Sequence, residues 1–429
     1  MRCNILLYGA TGYSGRLIAA EAKAAGMSDA QAVGDFRMIL AARDGAKLGE
    51  VAKKYGMPCR RFALDDVDEV KKHLDGIHVI INAAGPFAFT TDKLVKAALE
   101  LGCHYVDITG EVDVYRTLDD FARAAAQRNI AIVSGAGYMA GASDILLDLA
   151  LQKLMKDNIV KVDGELGAVR IALSAITDSS RGGVQTLVRS LREQVIVIRK
   201  APPVGRRKAR MVAWHEPVGK LEHTFDFSRP SEAADTEKDS GSEIGIAANL
   251  IDTLTAQLTV RRHRLLADTI VSYVEAGTMK RVAYQASAMF ASLGSCKWMR
   301  ALMRAQLAFV PAEPAQKELD KERNVVVLEI EDVYRTRLID WRLETPDVYQ
   351  FTAQVAVAAA RNISSGRKIG WVTPADALDF QIEDRPTKDA PGFRLRYSKR
   401  NKDDAGLVLR ASPIAEGVWR DTLMETRLV

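Results

Sequence analysis

Cysteine is scarce. The 429-residue chain has four, Cys3, Cys59, Cys103 and Cys296, too few and too scattered for a disulfide framework or a zinc site. Its six histidines are dispersed, so no metal is expected. No apolar run approaches the roughly 20 residues that a membrane-spanning helix needs. The opening Met1-Arg2-Cys3 leads directly into an apolar segment, without the pattern of a signal or transit peptide. A reduced, cytoplasmic protein is expected. An excess of one charge is lacking too. The formal balance of +5 suits an anionic ligand but is too weak to argue for nucleic acid, and no basic run is interleaved with aromatics. What is present, 48% hydrophobic and 27% charged residues, is the make-up of a folded protein long enough for two domains.

The first 150 residues alternate between short apolar runs and amphipathic segments. The runs Ile5–Tyr8, Met38–Ala42, Arg60–Ala63, Val79–Asn82, Tyr105–Ile108 and Ala131–Ser134 predict buried parallel strands. Between them, Ser14–Ala25, Ala46–Tyr55, Val67–Leu74, Asp92–Leu101 and Leu118–Gln127 predict helices. This rhythm predicts an α/β fold with an N-terminal Rossmann doubly wound parallel sheet over residues 1–150. Beyond Leu149, Val169–Ile176, Ile251–Val260, Thr269–Val274 and Val325–Tyr334 read as longer strands not each followed by a helix. They predict a second α+β domain on a mixed or antiparallel sheet, residues 151–345, which shapes the substrate site or a dimer contact. Residues 346–429 follow as a C-terminal segment. Arg199–Arg210 and Ser228–Ser242 read as loops.

The stretch Asn4–Arg16, NILLYGATGYSGR, spaces Gly9, Gly12 and Gly15 three apart between a strand and a helix. A pyrophosphate must approach backbone closely there and be received by the amides and dipole of the helix start. Gly9, Ala10, Thr11, Gly12, Tyr13, Ser14 and Gly15 are therefore the expected dinucleotide loop. Asp35 lies about 20 residues on, where a ribose-binding acid is sought, but it precedes its strand and so falls at the wrong sheet edge. Arg43 ends that strand, where NAD binding would call for an acid. A guanidinium there suits the 2′-phosphate of NADP, which is the expected cofactor. At the fourth strand, Asn82, Ala83, Ala84, Gly85, Pro86 and Phe87 form a small-residue exit against which a nicotinamide ribose can lie. None of the tyrosines has lysine four positions on, which excludes the short-chain dehydrogenase chemistry.

GATGYSG, LAAR…KL, NAAGPF and HYVDITGE, in this order, resemble the saccharopine dehydrogenase-like oxidoreductases, and within them the branch that includes the trans-acting enoyl reductases. Ser180–Thr186 (SRGGVQT) and Gly370–Leu378 (GWVTPADAL) are similar to elements of the same family's later chain. The resemblance implies a Rossmann domain associated with NADP, followed by a C-terminal domain, with the segment 346–429 partly returning to the first domain. In place of a further family pattern after the sixth strand stands YMAGASDIL, which keeps only Asp144.

Reduction of C=C, C=N or C=O also needs a proton donor. The fifth strand brings Asp107 and Glu111 to the carboxyl edge, and these two with Tyr105 and Tyr138 are the candidate catalytic residues; a turn or capping role is the competing reading. Cys103 and His104 begin that strand and are read as structural. Ser295–Val310 has Lys297, Arg300 and Arg304 on one helical side and Trp298, Leu302 and Phe309 on another. This pattern reads first as core or subunit interface, and second as a membrane-surface or lipid-binding helix. The expectation is an NADPH-dependent oxidoreductase acting on an unsaturated or carbonyl-containing, lipid-like small molecule, as a homodimer. The alternatives are a saccharopine-type amino-acid dehydrogenase, with Arg170, Arg181 and Arg189 as carboxylate ligands, and a non-catalytic NADP-binding sensor or membrane-associated scaffold.

Overall fold

The computed structural model describes residues 2–29, 36–174, 194–203, 209–217, 219–227, 242–276, 324–345, 347–379 and 410–413. Asp35, Ser180–Thr186, Arg181, Arg189, Ser295–Val310 and the stretches 383–409 and 414–429 lie outside these residues. The chain forms two compact units. The first joins Met1–Gly141 to Val348–Asp379, and the second is built mainly from Ala142–Asp347.

The first unit is a seven-stranded sheet. Its strands are β1 (Cys3–Tyr8), β2 (Phe36–Ala42), β3 (Cys59–Arg61), β4 (Val79–Asn82), β5 (His104–Asp107), β6 (Ala131–Val133) and, from far along the chain, β15 (Gly370–Val372). The order is β15-β6-β5-β4-β1-β2-β3 with every pairing parallel. Apolar runs such as Ile5-Leu6-Leu7 and Val79-Ile80-Ile81 are buried because helices cover a parallel sheet on both faces. Chain order reverses between β1 and β4, and that switch point is where open α/β sheets bind ligands, outside their carboxyl ends.

The connecting helices are α1 (Tyr13–Ala24), α2 (Gly45–Tyr55), α3 (Val67–His73), α4 (Phe87–Leu101) and α5 (Val112–Gln127). Two are longer than their sequence patterns predict. α4 starts at Phe87 instead of Asp92, and α5 at Val112 instead of Leu118. The returning α8 (Val348–Ile363) packs in the same unit, with Tyr349 edge-on to Tyr13 at 4.9 Å between ring centroids. Trp371 of β15 meets Tyr115 of α5 at the same centroid separation, 4.9 Å.

The second unit is a nine-stranded mixed sheet. Its path is β10 (Glu222–Asp226), β11 (Ser242–Ala247), β12 (Leu266–Glu275), β7 (Glu165–Leu173), β13 (Asn324–Glu331), β14 (Arg337–Thr345) and β16 (Arg410–Pro413). β8 (Val195–Ala201) pairs with β12 and β9 (Arg210–Glu216). β7 and β12 run parallel and the other pairings are antiparallel. β8 and β9 take up both ends of the segment Arg199–Arg210 read as a loop.

The expected strand Ile251–Val260 is a helix, α7 (Ile251–Arg262). Its threonines and β-branched residues suggest a strand, but it is buried on nearly every side, so an amphipathic period is missing. Its polar groups are met inside the unit. Asp252 accepts from Ser143 at 2.6 Å, Thr259 bonds Asp144, and the Thr253 hydroxyl donates to Ser272. Ser143 and Asp144 belong to α6 (Gly141–Lys156). Further along α6, the buried carboxylate of Asp148 is paired with Arg262 and with His263, the latter at 2.6 Å. These partners hold the Asp148 carboxyl below its ordinary range against the opposing effect of burial. Among the described residues, no helix is long and apolar enough to cross a membrane, and no cluster of three metal-ligating side chains occurs.

Candidate functional site

The carboxyl edge of the first unit's sheet gathers the predicted residues. The turn after β1 is tight: the amides of Gly9 and Ala10 both donate to the carbonyl of Ala41, and Gly12 donates to the carbonyl of Gly9. Gly9 has φ +90°, and a Cβ there would lie 2.7 Å from the amide nitrogen of Ala84. A Cβ on Gly15 would lie 2.1 Å from the carbonyl oxygen of Gly9. The turn and the start of α1 therefore pack backbone on backbone, closer than any other residue allows.

α1 begins without a side-chain cap, because its N-cap is Gly12, and its first turn has no acidic residue. Its neighbours differ. Asp44 caps α2 by accepting from the amides of Ala46 and Lys47, and Asp66 caps α3. A helix start without a side-chain cap is suited to an external anion.

At the end of β4 the loop is braced from beneath. Buried Asn82 donates through Nδ2 to Thr90 Oγ1 and Tyr105 Oη, each at 3.0 Å, and its Oδ1 accepts from the amide of Ala84 at 3.1 Å. Thr90 returns a hydrogen bond to the carbonyl of Ala84. Asn82 thus shapes Ala83–Pro86 and has no polar atom left over for a ligand, while Gly85 and Pro86 themselves are exposed.

The four expected catalytic residues take different places. Tyr105 is fully buried; its hydroxyl donates to Thr91 Oγ1 at 3.3 Å, and burial pushes its pKa far above the ordinary value. It is a strut under Asn82. Asp107 is fully buried as well, and its Oδ1 accepts from the amides of Thr109 and Gly135 and the hydroxyl of Ser134, at 2.9–3.1 Å. Burial pushes its carboxyl up to about 6, against the pull of these bonds and of the nearby Tyr105 hydroxyl. The well-formed bonds of that hydroxyl run to Thr91 and from Asn82, so its effect on Asp107 is that of a neighbour.

Glu111 receives the amides of Phe87 at 3.0 Å and Ala88 at 3.4 Å, capping α4 from across the edge. The N-cap position of that helix is Pro86, whose ring offers no capping group. Tyr138 is buried beside Phe351 of α8, and its amide donates to Thr352. The edge therefore brings together Asn82, Tyr105 and Glu111 as a scaffold under the β4 loop, while Asp107 ties the end of β5 to the turn after β6 and Tyr138 packs on α8. None of the three residues Tyr105, Asp107 and Tyr138 presents its side chain to solvent. Exchanging Glu111 for glutamine, which keeps one acceptor but loses the charge at the helix start, should lower stability by about 1 kcal/mol. The shift of the urea midpoint measures it.

Cys103 donates its thiol to the carbonyl of Ile77, and burial pushes the thiol up to about 11; His104 accepts the amide of Ala131. Both are structural in this fold. In the second unit, Arg170 is bound bidentately by Glu331, at 2.6 and 3.1 Å.

Arg43 is exposed immediately beyond β2, and beside it lies a residue that no sequence motif marks. Arg61 ends β3 in register with Ala42 and donates from Nε to the carbonyl of Arg43 at 3.2 Å. The only signal in the sequence is a second arginine in the run CRRF.

A strand order of this kind, with an open glycine turn at the switch point, defines a Rossmann dinucleotide-binding domain. Residues 5–133 match the family model described as the saccharopine dehydrogenase NADP binding domain. The chain is 28% identical over 197 residues to a trans-acting enoyl reductase of Mycobacterium ulcerans (strain Agy99), covering 44% of each chain. It is 26% identical over 205 residues to a lipid droplet localized protein of Caenorhabditis elegans, covering 44% of this chain and 45% of that one. The matches thus span less than half of these relatives. An apo saccharopine dehydrogenase (L-Glu forming) from Saccharomyces cerevisiae shares the fold with a TM-score of 0.56 and 14% identity, over 96% of this chain and all of that one. A homospermidine synthase from Legionella pneumophila, solved with NAD, does so at 0.50 and 12% identity, over 88% of this chain and 89% of that one. The resemblance read from GATGYSG and the later motifs is therefore to the saccharopine dehydrogenase-like group, in sequence and in fold.

Proposed function

We propose that this protein is an NADPH-dependent reductase of an unsaturated or carbonyl-containing, lipid-like substrate, similar in reaction to the trans-acting enoyl reductases. The observation that carries the proposal is the uncapped α1 turn, closed to any Cβ at Gly9 and Gly15, with an unneutralised arginine beyond the neighbouring strand. In this reading the amides after Gly12 receive the pyrophosphate and Arg43 receives the 2′-phosphate. The bound nicotinamide supplies the hydride. Gly85 and Pro86 present a backbone rim on which its ribose rests, while Asn82, Tyr105 and Glu111 hold that rim in place as positioning residues and Asp107 fixes the neighbouring β5–β6 edge. The amino-acid dehydrogenase alternative loses its described arginine, because the guanidinium of Arg170 is already committed to Glu331.

Titration of the full chain with NADPH and NADH tests the cofactor. NADPH should bind more tightly by about 10- to 100-fold, the worth of hydrogen bonds to a charged group, and Arg43→Ala should remove most of that preference. NADH binding at least as tightly, with Arg43→Ala changing neither affinity, sinks the proposal. Loss of NADPH absorbance with enoyl thioesters, imines or aldehydes then separates a reductase from a protein that binds the cofactor without turnover.

A further inference from the structure

Two successive arginines stand in the CRRF run, and the fold uses them differently. Arg60 turns back into its unit and donates to the carbonyls of His73 and Asp75, at 2.6 and 2.9 Å. Those carbonyls lie at the end of α3, so the guanidinium completes that helix's C-terminus. Arg61 leaves the sheet on the exposed side, at the carboxyl end of β3. Its stem runs along the first turn of α2: a Cβ on Gly45 would lie 2.8 Å from Arg61 Cδ. Its Nε is anchored on the carbonyl of Arg43. Two arginines thereby leave adjacent strands at one edge, with the guanidinium of Arg61 held on the backbone of Arg43. Among the described residues, no carboxylate forms an ion pair with either. The nearby Asp44 directs one oxygen to the α2 amides of Ala46 and Lys47, and its other oxygen stands 3.8 Å from the ammonium of Lys47.

Like charges held side by side without a counter-ion repel, and solvent offsets this only in part. A doubly charged phosphate removes the repulsion, and a second fork of N–H donors can take the oxygens that the first leaves. We infer that Arg61 is a cofactor-specificity residue: with Arg43 it forms a two-arginine clamp for a phosphate monoester on the adenosine ribose. The inference rests on the reductase reading above and adds a second ligand to it. Gly45 belongs to the same device, since a side chain there would displace the stem of Arg61.

The test compares the wild-type chain with Arg61→Gln and Arg61→Lys by calorimetric titration with NADPH, NADH and adenosine 2′,5′-bisphosphate. Arg61→Gln should weaken NADPH and the bisphosphate by about tenfold and leave NADH within about twofold of wild type. Unchanged NADH binding also certifies the fold of the variant. Arg61→Lys, a point charge without the fork, should recover part of the lost preference. If wild type prefers NADPH and Arg61→Gln binds it as tightly, the clamp is overturned and the reductase reading stands. Equal weakening of NADPH and NADH also overturns it, because Arg61 would then support the adenosine site in general. A wild-type chain without preference for NADPH removes both the inference and the reading beneath it.

Discussion

Gly9→Ala should abolish dinucleotide binding and destabilise the first unit by roughly 2–5 kcal/mol. Two costs add. An L-residue held at the φ of +90° found at Gly9 loses roughly 1–2 kcal/mol to its own backbone. The new Cβ would also meet the amide of Ala84 at 2.7 Å and the carbonyl group of Ala83 at 2.8–2.9 Å, which forces the β1 turn and the β4 loop apart, at roughly 1–3 kcal/mol. Since whole domains are stable by only about 5–15 kcal/mol, the loss is large. Gly49→Ala is the control. It is exposed on the outer face of α2 with nothing within 4 Å of its Cβ position, and the change should stabilise slightly, by roughly 0.5–1 kcal/mol. Thermal unfolding and NADPH titration of both variants decide the matter. A Gly9→Ala protein with wild-type melting and affinity would show that the turn is not the close contact described.

The second large effect concerns Asp107. At pH 4 its carboxyl is mostly neutral, and Asp107→Ala leaves the amides of Thr109 and Gly135 and the hydroxyl of Ser134 without their shared acceptor. At about 1–3 kcal/mol for each buried group left unpaired, with water in the vacated space relieving part of it, the cost is roughly 3–6 kcal/mol. Asp107→Asn keeps the Oδ1 acceptor and should cost much less.

The pH dependence has a definite sign. The folded carboxyl titrates near 6 against an ordinary 3.8, so the fold favours its protonated form. Its contribution is therefore fully present below about pH 4 and is lost as pH rises through 6, a loss of about 3 kcal/mol in wild type that a neutral asparagine does not share. Urea midpoints of wild type and Asp107→Asn between pH 4 and 7 should move relative to each other, with the variant gaining. Parallel curves would mean that Asp107 has no raised pKa.

Much of the first unit was legible because buried parallel strands leave an unmistakable trace. Apolar blocks such as Ile5-Leu6-Leu7 and Val79-Ile80-Ile81 recur at the spacing of a strand and helix, and the glycine triplet marks the turn after the first of them. The start of α4 was hidden because Gly85-Pro86 reads as a breaker and Phe87-Ala88-Phe89 gives no polar cap; the cap is Glu111, 24 residues further along. α7 was hidden for a different reason. Thr253, Thr255 and Thr259 favour a strand by local preference, and only tertiary partners, among them Asp144 and Ser272, make them at home in a buried helix.

At the candidate site, residue types were readable but their duties were not. Sequence order brings Asp107 and Glu111 to the right edge, yet cannot show that Asp107 faces three donors or that Glu111 meets another helix. Arg61 escaped because its meaning depends on its register beside Ala42, which no local pattern records.

The position of β15 has a consequence for how the molecule is made. Gly370–Val372 lie against β6, and Tyr349 of α8 against Tyr13, so the first unit takes in pieces from both sides of an insertion of about two hundred residues. On the ribosome, residues that have already formed six of the seven strands must wait, with an apolar flank uncovered, until the last elements emerge. Closing so long a loop costs little more entropy than closing a shorter one, but it delays completion. The interval between those two moments is when this chain is most exposed to wrong partners.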